Sequence, residues 1–498
     1  ICIKYIFPNK NNTYLFDLHL ELSKKLLKFY LQKPYSFFVK TNSSILIRNV
    51  YSEIGIFTYQ IIVALSILIN DLILISLMIF LLLMNDFSST FIILTIFFLF
   101  YIFYYYTSKP FVKKWGEILV KQKYLVHNDL KETFNSIKEI KVFGSENYFI
   151  NKFDNDLYKY SRSSRNQSII AHFPKIFFEY LLVIIFVILI FIFQLKGTSN
   201  SNILINITLF AAVSIRLIPS LSRLSTHVQG IIFYKPSVDI LFDEISKIDP
   251  NTIEKHSYLG NIDENDKNFK LEKFISIKNL DFSYSNKGEV KKIVENLNCN
   301  FYKNNIIGIF GQSGEGKTTL VDIISGLLKP EKGEILIDGA KNLNDRNIRR
   351  KWVKKIGYVT QNIYLLNDTV KQNILYDTKD FDYEKFQFAI KQSKFNEVLE
   401  NLPNKEETII SENGINLSGG QIKRLALARA LYRNPDLLIL DETMSSLDQE
   451  NQDNVLSNLT KLKKNKIIII ISHNKGIIKY CDELFYLQNK KLNIYKSS

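Results

Sequence analysis

The sequence predicts a chain in two parts, an α-helical transmembrane domain followed by an α/β domain built on a largely parallel sheet. Three observations carry this. Long apolar runs such as FIILTIFFLFYIFYYY and LLVIIFVILIFIF are confined to the first half of the 498 residues. In the second half, short strand-like runs (FISIKNLDFSY, IIGIF, EILID, LLILD, IIIIIS) alternate with helical patterns, as in a sheet with crossover helices. A glycine-rich stretch, GQSGEGKTT, stands between one such strand and one such helix.

The membrane half comes first. Four apolar stretches, at about 54–84, 90–106, 176–193 and 203–218, approach or exceed the roughly 20 residues that cross a bilayer. The connectors NDFSS and LKGTSNSN are short and carry one Lys between them, whereas 107–172 carries twelve Lys and Arg. The positive-inside rule puts that long segment in the cytoplasm and the two connectors outside. Four crossings leave both chain ends on one side, and Lys24, Lys25, Lys28 and Lys33 agree that this side is the cytoplasm. The stretch DPNTIEKHSYLGNIDENDKN reads as a linker. The predicted domains are thus 1–245 (transmembrane), 246–270 (linker) and 271–498 (nucleotide-binding).

The formal net charge of +15 would suit a nucleic-acid partner, but no groove-reading motif accompanies it, and the basic residues cluster beside the apolar runs. Cys2, Cys299 and Cys481 are far apart and in no ligand spacing, so they read as reduced thiols. The opening ICIKYIFPNK begins with Ile and carries no signal peptide, which reads as an N-terminally truncated fragment.

IIGIF, then Gly311, Gln312, Ser313, Gly314, Glu315, Gly316, Lys317, Thr318 and Thr319, then LVDIISGLL, make a strand, a phosphate loop and a helix. The glycines let backbone N–H groups turn inward around phosphates, and the helix N-terminus adds its dipole. Lys317 is expected on the β- and γ-phosphates, and the Thr318 hydroxyl on Mg²⁺. Glu315 stands where a small residue is usual. Its side chain is expected to point away, because an acid there would repel phosphate. LLILDE supplies Asp441, to hold Mg²⁺ through its shell, and Glu442, to polarise the attacking water. Ser418, Gly419 and Gly420 open a basic amphipathic helix, a second anion site in a chain that already has one.

LSGGQ just upstream of LLILDE resembles the signature of ABC-type ATPases, and the resemblance runs through 271–495. It implies that Ser418, Gly419, Gly420 and Gln421, with Asp448 of SSLD, meet the ATP held by a partner subunit. It implies that Tyr284 stacks on adenine, that Gln361 contacts Mg²⁺ and senses the membrane domain, and that His473 braces the γ-phosphate and water. The implied cofactors are ATP and Mg²⁺, with Thr318, Gln361 and Asp441 around the metal.

The membrane half resembles an exporter-type half-transporter, in which six helices are fused to one ATPase domain. YLQKPYSFFVKTNSS and KETFNSIKEIKVFGSENYFINKF match its two coupling segments. On this resemblance the four crossings are helices three to six, with helix one and most of helix two lost upstream. It implies a homodimer, or a heterodimer with a related half-transporter, sandwiching two ATP between cytoplasmic ATPase domains. Its place is the bilayer, in a bacterial inner membrane. Its work is the ATP-driven outward movement of an amphipathic substrate by alternating access. A soluble ABC ATPase would lack the membrane helices, and an importer keeps its ATPase on a separate chain. An ATP-gated channel or sensor keeps both halves.

AAVSIRLIPS puts Arg216 about 14 residues in from the outer end of its helix, roughly 20 Å deep. A charge there costs at least ~2.5 kcal/mol unless it faces protein or water. One expectation is an ion pair with Asp71 or Glu179, which fall at a similar counted depth. The other is contact with an anionic headgroup of the substrate. YLQKPYSFF, SIKEIKVFG and RLIPSLSR resemble the exporters that flip lipid-linked oligosaccharides on polyprenyl pyrophosphate. A lipid or peptide exporter is the alternative.

Overall fold

The computed structural model describes residues 2–85, 87–195, 200–248, 269–286, 289–376, 381–410, 417–444 and 449–494. The chain divides into two compact units, largely 1–257 and 258–498.

Among the described residues the elements of the first unit are helices: α1 (Cys2–Leu31), α2 (Tyr35–Lys40), α3 (Ser43–Asn85), α4 (Phe87–Asn135), α5 (Ile137–Phe143), α6 (Glu146–Leu195) and α7 (Asn200–Ser246). Among the described residues α3, α4 and α6 contain segments long and apolar enough to cross a membrane. The fourth expected crossing, 203–218, lies in α7, and the side chains of its first residues fall outside the described set. The helices run far beyond the apolar stretches, because apolar length tracks bilayer thickness whereas helix length here continues into polar extensions. Within α3, Arg48–Glu53 and Phe57–Ile62 are π-helical turns. The short helices α2 and α5 fall inside the two segments expected to form couplings.

Interhelical packing is tightest where side chains vanish. A Cβ on Gly116 of α4 would sit 2.1 Å from the Phe233 carbonyl of α7, so only glycine admits this approach. Val112, Leu119 and Phe233 are buried around it. Farther along, Leu82, Phe210 and Val213 form a cluster joining α3 to α7.

The second unit holds two main sheets. An antiparallel one has the order β2-β1-β4-β5, from β1 (Phe274–Asn286), β2 (Glu289–Tyr302), β4 (Lys332–Ile337) and β5 (Lys341–Asn342). The six-stranded one has the order β12-β11-β3-β10-β9-β6, from β3 (Ile306–Phe310), β6 (Ile356–Val359), β9 (Leu437–Asp441), β10 (Ile467–Ile471), β11 (Glu483–Gln488) and β12 (Lys491–Ile494). All its pairings are parallel except β11 with β12. Its central strands read as unbroken apolar runs because both faces are covered: every residue of Ile467–Ile471 and of Leu437–Asp441 is buried. A third pair joins β7 (Asp368–Thr369) to β8 (Ile409–Ile410).

The helices of this unit are α8 (Lys317–Ile324), α9 (Arg346–Val353), α10 (Val370–Leu375), α11 (Tyr383–Gln392), α12 (Asn396–Glu400), α13 (Gly419–Tyr432) and α14 (Gln449–Leu462). Leu365, Ile374, Phe386, Phe395, Leu399 and Leu425 gather α10 to α13 around a core of their own. This is the helical subdomain that stands beside the sheets.

Candidate active site

Parallel strands present their carboxyl ends on one edge, and ligand sites of open α/β sheets form there. The expected residues leave β3, β6, β9 and β10 on that edge. Gly311 follows β3, Gln361 follows β6, Asp441 and Glu442 end β9, and His473 follows β10.

The loop after β3 is shaped for a phosphate. Gly314 and Gly316 have φ of 83° and 97°, a left-handed backbone that glycine adopts without strain. A Cβ on Gly316 would also lie 2.2 Å from the Ile293 side chain of β2. Lys317, the first residue of α8, is buried, and its Nζ donates to the carbonyls of Gly311 (2.9 Å) and Gln312 (2.8 Å). Burial lowers its pKa, opposed by the carboxylates of Glu442, Glu315 and Asp441.

Thr318 Oγ1 donates to Asp441 Oδ2 at 2.8 Å. Asp441 is 1% exposed, and its Oδ1 is buried without a hydrogen-bond partner. Burial pushes its carboxyl pKa up, the Thr318 hydrogen bond pulls it down, and the neighbouring Glu442 raises it again. A hydroxyl and a carboxylate with one free oxygen, both facing the phosphate loop, are the hard oxygen donors that Mg²⁺ takes. The donor set fits that ion.

Glu442 joins the two remaining groups, Gln361 and His473. Gln361 Nε2 donates to its Oε2 at 2.6 Å, and His473 Nε2 lies 2.7 Å from its Oε1. Its φ of 50° puts a β-carbon-bearing residue in the left-handed region, which costs of order 1–3 kcal/mol and persists only where the surroundings hold it. Its N–H donates to Ile471 O of β10 (3.0 Å), and its carbonyl accepts from Lys423 Nζ of α13 (3.0 Å). An open pocket of about 390 Å³, lined by Phe310, Gly311, Gln312, Ser472, His473 and Tyr486, adjoins the loop.

Ser418 caps α13 in a reciprocal box: Gln421 N–H donates to Ser418 Oγ (3.3 Å) and Ser418 N–H to Gln421 Oε1 (2.8 Å). No described hydrogen bond joins Ser418, Gly419, Gly420 or Gln421 to the phosphate loop of the same chain. Tyr284 sits on β1, edge-on to Phe282, and pairs with Lys291 of the strand that carries Ile293. No described hydrogen bond or ring contact ties it to the loop. Asp448 lies outside the described residues.

Two expectations are corrected. Glu315 does not point away: its Oε2 is buried, lacks a hydrogen-bond partner, and lies 3.0 Å from where a Cβ on Gly311 would be. The loop wraps the side chain inward because Gly311 leaves the space that any larger residue would fill. Arg216 does not pair with Asp71 or Glu179. Asp71, 4% exposed, is taken by Arg223, whose Nη2 donates to Oδ1 at 2.6 Å and whose Nε donates to Oδ2 at 3.0 Å. Arg216 and Glu179 are exposed in the single chain, with no ion pair among the described residues.

The pairing levels Asp71, 14 residues in from Asn85, with Arg223, 23 residues in from Asn200. The ends of α3 and α7 therefore differ by about 14 Å along the axis. Counting inward from each end as if both stood at one height selected the wrong arginine. Arg223 lies seven residues after Arg216 on the same helix face, so the face was legible in the sequence but the offset that picks Arg223 was not.

Reasoning from motifs also missed Asp322, in α8. Tyr358 donates to its Oδ1 at 3.1 Å, and burial pushes its carboxyl up to about 6, the Tyr358 bond opposing and Asp441 adding. The hydrophilic position on an otherwise buried helix face was the available signal. Between α3, α4, α6 and α7 lies an apolar cavity of about 80 Å³, lined by Leu82, Phe97, Phe186, Phe210, Ser214 and Leu217 among others.

Residues 17–217 match the family described as ABC transporter transmembrane region, and residues 294–445 match the one described as ABC transporter. An ATP-dependent lipid A-core flippase of Pseudomonas savastanoi pv. phaseolicola is 29% identical over 481 residues, covering 95% of this chain and 75% of that protein. The protein of the same name in Pseudomonas aeruginosa is 27% identical over 484 residues, covering 96% and 76%. In Pasteurella multocida the likeness is 36% over 221 residues, 44% of this chain and 37% of the relative. Among solved structures, a bacterial Atm1-family exporter with ATP bound superposes with a TM-score of 0.74 at 19% identity, covering 98% of this chain and 82% of that one. That last likeness is one of fold.

Proposed function

Because this chain belongs to the ABC transporters, an exporter-type half-transporter with its membrane region fused to its ATPase domain, we propose that it works as a homodimer that flips a lipid with an anionic saccharide headgroup. ATP hydrolysis drives the export. The gathering of Lys317, Thr318, Asp441, Gln361, Glu442 and His473 at adjoining strand ends carries the site assignment.

In this reading the loop from Gly311 to Thr319 cradles the phosphates through its backbone N–H groups, and Lys317 leaves the loop carbonyls for the β- and γ-phosphates. Thr318, Asp441 and Gln361 would hold Mg²⁺, which would supply positive charge against that of the transferred phosphoryl group. Glu442 takes a proton from the attacking water, and His473 fixes the carboxylate while bracing the γ-phosphate. Tyr284 stacks on adenine. Ser418, Gly419, Gly420, Gln421 and Asp448 close over the partner subunit's ATP, so two nucleotides are sandwiched between the ATPase domains. ATP binds the closed arrangement more tightly than the open one, and that difference turns the membrane cavity outward.

The substrate reading rests on Arg216. Asp71 is already satisfied by Arg223, so Arg216 has no acid to neutralise it among the described residues. An arginine at membrane depth faces protein or water rather than lipid tails. A phosphate-bearing headgroup passing that face would be its partner, while the apolar cavity suits hydrocarbon. The relatives are named as lipid A-core flippases, and the motifs resemble those of exporters that flip lipid-linked oligosaccharides on polyprenyl pyrophosphate. The bacterial inner membrane is the corresponding location.

The test is ATP hydrolysis by the chain in proteoliposomes, with lipid A-core in one arm and a polyprenyl-pyrophosphate oligosaccharide in the other. Stimulation several-fold above basal in one arm, lost in Arg216→Ala while basal hydrolysis survives, identifies the lipid and the contact. No stimulation in either arm contradicts the substrate reading and favours a peptide or other lipid cargo.

A further inference from the structure

Lys423 has no part in the mechanism above, yet it reaches the centre of it. It lies on the first turns of α13, five residues after the cap Ser418, and its Nζ donates to the backbone carbonyl of Glu442 at 3.0 Å. The carbonyl it holds belongs to the residue whose φ of 50° is unusual for a side chain with a Cβ. Such a backbone stays in place only where the surroundings over-determine it. The amide side of Glu442 is fixed by Ile471 O, and the carbonyl side by Lys423. Between these two anchors the carboxylate is aimed at Gln361 and His473.

The helix that presents Lys423 is itself tied down. The next residue, Arg424, is 9% exposed and donates to Lys394 O (3.0 Å), Glu397 Oε2 (3.3 Å) and Asn451 Oδ1 (3.4 Å). Lys423 therefore projects from a fixed platform rather than from a free helix surface. It is half-buried; burial lowers its pKa and the Glu442 charge opposes the shift.

We propose that Lys423 is a positioning residue for Glu442: it holds the left-handed turn that orients the carboxylate, and ties that turn to the helix opening with Ser418. This rests on the reading that Glu442 polarises the attacking water. In the sandwich dimer it has a second consequence. The N-terminus of α13 closes on one ATP while Lys423, about one turn along, sets the carboxylate that serves the other. Seating of the first nucleotide is thereby linked to competence at the second.

The test uses the full chain in lipid nanodiscs, with Lys423→Met, Lys423→Gln, Lys423→Arg, Glu442→Gln and the double variant Lys423→Met/Glu442→Gln. Lys423→Met is expected to lower kcat about 10- to 100-fold, the range for a reacting group displaced by about an ångström. The KM for ATP and the binding of a fluorescent ATP analogue should stay within about twofold, because no nucleotide contact is lost. Lys423→Arg should recover most of the loss, and Lys423→Gln, a neutral donor, part of it. The double variant should be no slower than Glu442→Gln alone.

A kcat for Lys423→Met within twofold of wild type overturns the proposal, as does a fall in kcat that multiplies with that of Glu442→Gln. If Lys423→Met fails to fold, the same comparison is read on Lys423→Gln. A Glu442→Gln variant that turns over like wild type overturns the parent reading instead. An inactive Glu442→Gln beside a normal Lys423→Met and Lys423→Gln removes only the role given to Lys423.

Discussion

In the ATPase unit, charged atoms are buried and left unmatched: Asp441 Oδ1 and Glu315 Oε2 have no hydrogen-bond partners. At bilayer depth in the membrane unit, Asp71 has both oxygens bonded by one arginine, and that arginine's Nη2 also donates to Ser220 Oγ at 3.0 Å. The contrast follows from the surroundings. Near water, an unmatched carboxylate recruits solvent, a metal or a ligand, and the desolvation cost is limited. Between membrane helices no solvent is at hand, so a carboxylate is paired at synthesis or it is not tolerated. At bilayer depth an unmatched charge calls for a partner beyond the single chain, and Arg216 has no ion pair among the described residues; elsewhere in the membrane unit Glu53 Oε2 and Asp129 Oδ2 are buried without hydrogen-bond partners, as in the ATPase unit.

The largest effect expected from breaking this contrast is on the matched pair. Arg223→Leu leaves Asp71 buried and alone, and is expected to destabilise the membrane unit by about 3–5 kcal/mol. Melting in detergent reads the loss. The double variant Asp71→Leu/Arg223→Leu should recover most of it, since an apolar pair needs no compensation. Arg216→Leu should leave the melting temperature nearly unchanged; a drop as large as that of Arg223→Leu would mean that Arg216 holds helices together.

Asp322 comes next and sharpens the contrast through pH. Its folded pKa of about 6 stands above the ordinary 3.8, so the ionised form is disfavoured in the folded state. Stability from this group is fullest below about pH 4 and is lost as pH rises through 6, by up to about 3 kcal/mol. Asp322→Asn should accordingly raise the melting temperature at pH 7.5 by several degrees. The gap to wild type should close on acidification, and a gap independent of pH would assign the effect to packing. Smallest is Glu315→Ser, which removes an acid from the phosphate loop. It should tighten ATP binding a few-fold, about 1 kcal/mol, measured by titration with a fluorescent analogue. Unchanged affinity would mean that the carboxylate swings clear when ATP enters.

The two units also differ in how far the sequence revealed them. Phosphate-loop geometry is local: nine consecutive residues between a strand and a helix determine where Lys317 and Thr318 go. The strands that bring Asp441, Glu442 and His473 to the same edge are short apolar runs whose ends are marked by the polar residue itself. Partnerships between separated helices are another matter. The pairing of Asp71 with Arg223 depends on how far α7 extends past α3, and no local pattern encodes that offset. The same holds for Lys423, whose contact joins two elements that are neighbours only after folding. Helix lengths were hidden for a different reason: apolar content reports where the bilayer lies, and α6, with its apolar part at 176–193, begins at Glu146.

The role of Glu442 is read out by single-turnover hydrolysis of radiolabelled ATP by wild type and Glu442→Gln in the presence of Mg²⁺. Glu442→Gln is expected to retain about two ATP per dimer, unhydrolysed, with phosphate release slowed at least about 100-fold. Phosphate release by Glu442→Gln at the wild-type rate would contradict that role, and would place the activation of water elsewhere than on the carboxylate that Gln361, His473 and Lys423 surround.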